Sequence, residues 1–201
     1  MYIPKAFEFT NDADKIAFMK QYSFATIITN KDDIPIATQL PFMVDAGADK
    51  LILTAHFAKA NEQASYIENN ISLVIFSEPH AYISPVHYDK EESVPTWNYV
   101  AVHAYGKARI IEEDDHKLRL IEQMISFYEE SYLQQWKSLP DRFRTGMLKG
   151  IVAFQIEVTD LQGKQKLSQN RTQAERDRIV QHLEQSSHSQ EKDIADYMKK
   201  M

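Results

Sequence analysis

Val94-Pro95-Thr96-Trp97-Asn98-Tyr99-Val100-Ala101-Val102-His103-Ala104-Tyr105-Gly106 opens a strand that the pattern carries to residue 111. Tyr99, Ala101, His103 and Tyr105 share one face of it. Val100, Val102, Ala104 and Gly106 share the other, because successive side chains alternate across a strand. Just upstream lies Pro79-His80-Ala81-Tyr82-Ile83-Ser84-Pro85-Val86-His87-Tyr88. Together the two stretches gather three prolines and three histidines around aromatic side chains with polar tips. Prolines fix φ and remove backbone donors. Buried Tyr and Trp need partners for their polar ends. The region therefore reads as a shaped surface as well as a packed one.

Strands extend outward from this centre. Residues 24–29 form one, residues 30–33 turn it, and residues 34–44 return, with Pro35 and Pro41 limiting ladder pairing. A second turn at residues 45–50 leads to a strand at 51–55, completing a meander. Residues 71–77 and 151–158 are further strands. In the last, Val152, Phe154, Ile156 and Val158 point one way. Helices fit between them. Thr10-Asn11-Asp12 caps a first helix of about three turns. Ala60, Ala64 and Ile67 predict a short helix over residues 59–69. Leu118, Ile121, Ile125, Tyr128 and Tyr132 give a stripe along a long helix over residues 114–136. The sum is mainly β with packing helices. A small closed barrel is expected, since closure removes exposed edges.

Beyond residue 160 large apolar side chains thin out and charges increase. Thr172-Gln173-Ala174-Glu175 has the form of a capping box opening a helix to about residue 183, and a short terminal helix follows. The expected organisation is a barrel domain over residues 1–160 and a helical C-terminal tail over residues 161–201.

Composition excludes several functions. The 201 residues contain no cysteine, so disulfides, thiol catalysis and cysteine-ligated metals are out. The start, Met1-Tyr2-Ile3-Pro4-Lys5, shows no signal peptide, and no run approaches the ~20 apolar residues of a membrane span. A soluble cytoplasmic protein is expected. The net charge of −6 argues against a broadly basic nucleic-acid surface. Five glycines form no phosphate-binding loop. Gly-x-Ser-x-Gly and His-Glu-x-x-His are absent. The spacing of His80, His87 and His103 matches no zinc motif, and no metal site is expected. No catalytic residue is assigned, and any chemistry would come from a bound cofactor.

Two regions carry ligand arguments from their residues. Thr54-Ala55-His56-Phe57-Ala58-Lys59 is read as a strand giving way to a helix, where free N–H groups and a partial positive charge suit a phosphate. The plain alternative is a solvated Lys59 and a rim-packed His56. In the tail, Lys164, Lys166, Arg171, Arg176 and Arg178, with Ser168, Gln169, Asn170 and Thr172, could contact phosphates and base edges of DNA. Against this, Arg176 and Arg178 could simply pair with Glu175 and Asp177, or with acidic groups on the barrel.

Five blocks in order, Met1-Tyr2-Ile3-Pro4, Ala37-Thr38-Gln39-Leu40-Pro41-Phe42, Ala55-His56-Phe57-Ala58-Lys59-Ala60-Asn61, the opening stretches, and Lys166-Leu167-Ser168-Gln169-Asn170-Arg171, resemble the PaiB-type transcriptional regulators. The resemblance implies a homodimeric split β-barrel of the FMN-binding kind, with clefts between subunits that hold FMN in related proteins. It implies negative regulation of transcription that restrains protease production and sporulation. On this resemblance His56, Lys59 and Asn61, with Thr54, correspond to a phosphate grip. Thr38 and Gln39 would lie beside the flavin ring, where Pro41 withholds one N–H. Trp97 and Asn98 could stack on and bond a planar ligand. A subunit interface is an equally good use for Trp97, Tyr82 and Tyr88, and the Lys166–Arg171 block could be structural. The alternative function is an FMN- or haem-dependent oxidoreductase on the same barrel, and a ligand-sensing role could accompany regulation.

Overall fold

The computed structural model describes residues 1–47 and 49–201; Ala48, inside the turn expected at residues 45–50, lies outside them. The strands are β1 (Phe24–Lys31), β2 (Ile34–Pro41), β3 (Met43–Ala46), β4 (Leu51–Ala58), β5 (Ile71–Phe76), β6 (His80–Ile83), β7 (Thr96–Ile110) and β8 (Ile151–Lys166). The helices are α1 (Asp12–Gln21), α2 (Asp114–Glu129), α3 (Tyr132–Ser138), α4 (Asp141–Leu148), α5 (Gln173–Glu184) and α6 (Ser189–Lys199). The strands form one antiparallel sheet in the order β2-β1-β5-β7-β8-β4-β3, with β6 paired to β7. By contact the chain divides into two compact units. One holds Met1–Phe18, Ile75–His103 and Leu161–Met201; the other holds Met19–Val74 and Ala104–Asp160.

In the second unit, β1 and β2 form a two-residue hairpin. Asp32 and Asp33 take φ of 48° and 64°. A primed turn requires positive φ at both positions, and Asp tolerates it. Pro35 and Pro41 sit on β2 at the margin of the sheet, opposite Asn30 and Phe24, where a missing N–H does not interrupt a ladder. β4 lies between β3 and β8, with Thr54 opposite Met43 on one side and Gln155 on the other. Phe42, Phe57 and Phe154 are fully buried there. Phe57 stacks on Phe154 at 4.7 Å and Phe42 meets Phe154 edge-on at 6.2 Å, both within the favourable range for aromatic pairs. Gly106 of β7 faces β8 with no room to spare: a Cβ there would lie 2.2 Å from the Glu157 carbonyl oxygen.

Four expectations are corrected in this unit. The first strands form no meander, because the strand expected over residues 34–44 breaks at Phe42 into β2 and β3, which stand at opposite ends of the strand order. Residues 59–69 hold no α-helix; a 3-10 turn over Glu62–Ser65 stands in its place, capped by the Asn61 side chain, which accepts from the Gln63 N–H at 2.9 Å. The apolar spacing was real, since Ala64 and Ile67 are buried, but the buried Gln63 side chain ties the segment to the sheet as a turn. The helix expected over residues 114–136 is broken after α2, and α3 begins at Tyr132. Its buried positions are Leu120 and Met124, packed with Ile111, Ala153 and Met43. Tyr128 lies on the exposed side, where its hydroxyl bonds Ser23 at 2.6 Å. The last strand is twice the expected length, and β8 runs unbroken through residue 160.

In the first unit, Asn11 caps α1 by accepting from the Ala13 N–H at 2.9 Å. β6 and β7 pair with His80 opposite Tyr99, Ala81 opposite Asn98 and Tyr82 opposite Trp97. The tail helices form as expected. Thr172 and Glu175 complete the capping box of α5, and α6 buries Ile194, Ala195 and Met198. Glu175 does more than cap. Its carboxylate accepts from the Asp89 N–H at 3.0 Å and from the Thr172 N–H at 2.9 Å, tying the loop before β7 to α5. These bonds hold its pKa below the ordinary 4.5. A depressed carboxylate contributes stability above its unfolded-state pKa and loses it as pH falls through the folded value. Glu175→Gln is therefore expected to flatten the acid limb of urea-unfolding midpoints measured from neutrality down to about pH 3. An acid limb as steep as that of the unmodified chain would remove Glu175 from this role.

Candidate functional site

The residues singled out on β2, β4 and the following turn all lie in the second unit, yet they do not converge on one cradle. Thr38 and Asn61 do meet. The Asn61 side-chain amide donates to Thr38 Oγ1 at 3.0 Å, and Thr38 Oγ1 donates to Gln63 Oε1 at 2.7 Å. Gln63 in turn donates to Thr29 Oγ1 at 2.5 Å and to the Ile27 carbonyl at 3.3 Å. The network fixes the turn to the β1–β2 hairpin, so both polar groups are committed to structure. Gln39, one residue on, is exposed.

Thr54, His56 and Lys59 open onto three different cavities. Thr54 lines one of about 680 Å³ with Met43, Asp45, His116, Gln123 and Gln155. His56 lines one of about 300 Å³ with Ile121, Tyr132, Trp136, Phe143, Met147, Leu148 and Ile151. Lys59 lines one of about 380 Å³ that also holds Lys117, Lys149, Glu112 and Asp114. Burial pushes the His56 pKa down, which keeps the imidazole neutral. The helix-start argument for a phosphate clamp does not hold, because no α-helix follows β4. A neutral His56 adds little attraction for a phosphate, while the cavity of Lys59 sets three lysines against two carboxylates and keeps a net positive charge, with Lys117 already paired to Asp114.

Trp97 and Asn98 belong to the first unit and point to opposite faces of β7. Trp97 is 52% exposed. His80 lies 5.6 Å from its ring and Tyr82 meets it edge-on at 5.9 Å, so the three form an aromatic patch. A cavity of about 580 Å³ adjoins His80 and Trp97, walled by residues 187–191. Asn98 is fully buried and cannot stack on a ligand. Its amide donates to Ser168 Oγ at 3.0 Å, and Ser168 donates back to Asn98 Oδ1 at 3.2 Å. Ser168 takes φ of 61°, left-handed backbone that Ser seldom adopts.

The basic tail residues are engaged within the first unit. Lys164 is buried, donates to the Tyr2 carbonyl at 3.2 Å and lies over the rings of Tyr2 and Tyr99. As placed it cannot reach a DNA phosphate. Lys166 donates to the Trp97 carbonyl at 2.9 Å and to the Thr96 hydroxyl. Burial and the neighbouring Lys164 charge hold its ammonium below the usual lysine pKa. Arg171 stacks on buried Tyr88 at 3.6 Å. Arg176 bonds Gln173. Arg178 donates to the His87 carbonyl at 2.9 Å and pairs with Asp89 at 2.6 Å. Neither Arg176 nor Arg178 pairs with Glu175 or Asp177; Arg178 instead takes Asp89, an acidic group of the residues expected to form the barrel. The histidines likewise part company: His80 meets Trp97, His87 lies 4.8 Å from His182, and His103 is half-buried.

Sequence reasoning missed Gln63 and Trp136. Gln63 lies in the quoted resemblance region's shadow, two residues past Asn61, with no pattern of its own. Trp136 stands at the end of the expected helix, one turn beyond the last residue of the stripe, and no role was read for it. Among the described residues no helix is long and apolar enough to cross a membrane.

Residues 1–160 match the family model described as "Putative FMN-binding domain". "Protease synthase and sporulation protein PAI 2" of Bacillus subtilis is 39% identical over 201 residues, covering 98% of this chain and 96% of the relative. The flavocytochrome Anf3 of Azotobacter vinelandii superposes with a TM-score of 0.62 at 11% identity, over 77% of this chain and 67% of its own. An FAD- and heme-binding protein of Mycobacterium smegmatis gives 0.61 at 12% identity, over 78% and 72%. At such identities these two structures establish the shared split-barrel fold alone.

Proposed function

The chain belongs to the FMN-binding domain family, and from that premise we propose that it acts as a PaiB-like negative regulator of transcription, a homodimer with a flavin-type ligand in the cleft between its copies. The observation that carries this reading is the 39% identity to the Bacillus subtilis protein across nearly the whole of both chains. Similarity of that extent includes the tail helices as well as the sheet.

A homodimer gives the exposed aromatics a purpose. Tyr82 and Trp97 stand on β6 and β7, and aromatic side chains are enriched at the centres of such interfaces. It also answers the scatter of the ligand candidates. Thr38 and Asn61 are committed to Gln63, Asn98 is sealed in, and Thr54, His56 and Lys59 line separate cavities, so one chain alone does not fit FMN. A second copy would have to complete the site. Contact with DNA would use the partly exposed Arg171, Arg176 and Arg178 and not Lys164.

Trp97→Ala is expected to raise the dimer dissociation constant at least about tenfold, the loss typical of an interface hot spot. Sedimentation equilibrium would show it. A monomeric parent chain would overturn the homodimer; a dimer indifferent to the change would remove Trp97 from its interface. Protein purified without added cofactor should absorb near ~450 nm, a property of the flavin itself. Colourless protein whose fluorescence ignores added FMN would overturn the ligand. For DNA, selection from a random duplex pool should yield a bound sequence whose affinity falls steeply with salt. A pool that yields none would overturn direct DNA contact.

A further inference from the structure

The cavity beneath α2, α3 and α4 differs in kind from its neighbours. His56 of β4 and Ile151 of β8 form its floor side, Ile121 comes from α2, Tyr132 and Trp136 from α3, and Phe143, Met147 and Leu148 from α4. All belong to the second unit. Its volume of about 300 Å³ falls at the lower end of the range that small-molecule pockets span. Three other cavities of this unit carry charge: one Lys59, Lys117, Lys149, Glu112 and Asp114, one Asp45, and the smallest, of about 210 Å³, Lys20. Among the described residues this one is lined without a formal charge.

Two polar atoms in that apolar lining lack partners. Trp136 is 6% exposed, and its indole Nε1–H meets no acceptor among the described residues. His56 Nδ1 is buried and has none either. Buried indole and imidazole nitrogens are ordinarily satisfied, so two orphans in one cavity mark a place where an outside group belongs. Trp Nε1–H can only donate, which fixes one requirement: the outside group carries an acceptor. His56 is held neutral by burial, so its Nδ1 asks for one further hydrogen bond and not for a counter-charge. Phe143 and Met147 are about half exposed and give the cavity an apolar mouth open to solvent.

We propose that this cavity is a ligand site for a compact uncharged aromatic molecule bearing a carbonyl acceptor for the Trp136 N–H and an adjacent N–H or O–H group for His56, the class of aryl amides and lactams. Aromatic walls from Tyr132, Trp136 and Phe143 would hold the ring, and the two nitrogens would orient it. An anionic ligand is disfavoured, because no lining cation offsets its desolvation. The site is independent of the flavin reading: it lies within one chain and offers a phosphate nothing.

The test uses the full-length chain, ¹⁵N-labelled, with benzamide as the probe and benzoate as its charged counterpart. The chain has two tryptophans, so two indole N–H resonances are expected, assigned with Trp97→Phe. Benzamide should move the Trp136 indole resonance downfield in a saturable way and leave that of Trp97 in place. Benzoate should bind at least tenfold more weakly. His56→Phe, which keeps a ring of similar shape, should weaken benzamide at least tenfold. Ile121→Phe should fill the cavity and abolish the shift; if that variant does not fold, His56→Phe decides. A Trp136 resonance unmoved up to the solubility limit overturns the proposal, as does benzoate equal to benzamide or undiminished binding in His56→Phe. FMN shifting the Trp136 resonance would overturn it differently, by making this cavity the flavin site. Failure of the flavin or dimer experiments leaves this readout unchanged.

Discussion

Gly106→Ala is expected to lower the stability of the chain by about 3 kcal/mol, the upper part of the usual range for overpacking. In a protein of this size that corresponds to a fall of about 6–12 °C in Tm. Freedom of the backbone is not the reason, since no glycine in the described chain has positive φ. The reason is space. An added Cβ would stand 2.2 Å from the Glu157 carbonyl oxygen and 2.6 Å from Ile156 Cγ2, distances real Cβ atoms do not show. Glu157 and Ile156 lie in β8 next to β7, and β8 is also paired with β4, so the obstacle is backbone held from its other side. Relief requires β7 and β8 to part locally. Gly47→Ala is the control, with its nearest neighbour at 3.6 Å, and should change stability little. Thermal unfolding of both variants decides: equal, small shifts would mean the two strands can spread there at little cost.

Asn98→Ala is expected to cost a similar amount, about 3 kcal/mol, by leaving a buried polar partner unsatisfied and opening a void. Asn98 is fully buried, and Ser168 is 3% exposed. Their two mutual hydrogen bonds, at 3.0 and 3.2 Å, are joined by a contact from the Asn98 amide to Met198 Sδ at 3.5 Å. One side chain thus ties β7, the turn after β8 and α6 together. Ser168 at φ 61° is strained backbone that these bonds hold in place. Replacing it with glycine relieves the strain and removes the hydroxyl that Asn98→Ala would orphan. The double variant Asn98→Ala with Ser168→Gly should therefore be more stable than the sum of the single losses predicts, by about 1 kcal/mol or more. Urea unfolding of the four proteins measures the coupling. Strict additivity would show that Asn98 and Ser168 do not act as a pair.

These two sites differ in how well the sequence announced them. The alternation along β7 put Gly106 on one face with Val100, Val102 and Ala104, and the structure buries that face. Asn98 shares that face, yet its residue type drew it toward a ligand. Only its pairing with a residue 70 positions away reveals its use. Local signals behaved reliably. Asn11, the Asp32-Asp33 turn and the Thr172–Glu175 capping box each depend on neighbours within four residues, and each formed as read. Periodicity was weaker where the helical pattern was short. Ala60, Ala64 and Ile67 suit a helix, but Gln63 finds Thr29 and the Ile27 carbonyl across the fold, and those bonds favour a turn. On α2 the stripe was placed one step out of phase, because Leu120 and Met124 reach the core while Tyr128 is satisfied at the surface by Ser23. The resemblance to the PaiB family was legible because it rested on five ordered blocks, and full-length identity bears it out. The candidate site was much less so. Its residues were chosen one by one along the chain, whereas cavities are made by side chains brought from distant segments, as His56 and Trp136 are.

β8 has a bearing on any attempt to dissect the molecule. Sixteen residues run without a break from Ile151 to Lys166, past the point where composition alone suggested that a barrel gives way to an appendage. Scissors applied at residue 160 would sever a paired strand in mid-course. The shorter product would lose Gly163, whose carbonyl receives the Phe9 N–H at 3.1 Å, and Lys164, which anchors Tyr2. It would fray at its amino end as well as its carboxyl end, so any change seen in such a fragment would report on unfolding at both extremities before it reported on anything the helices do.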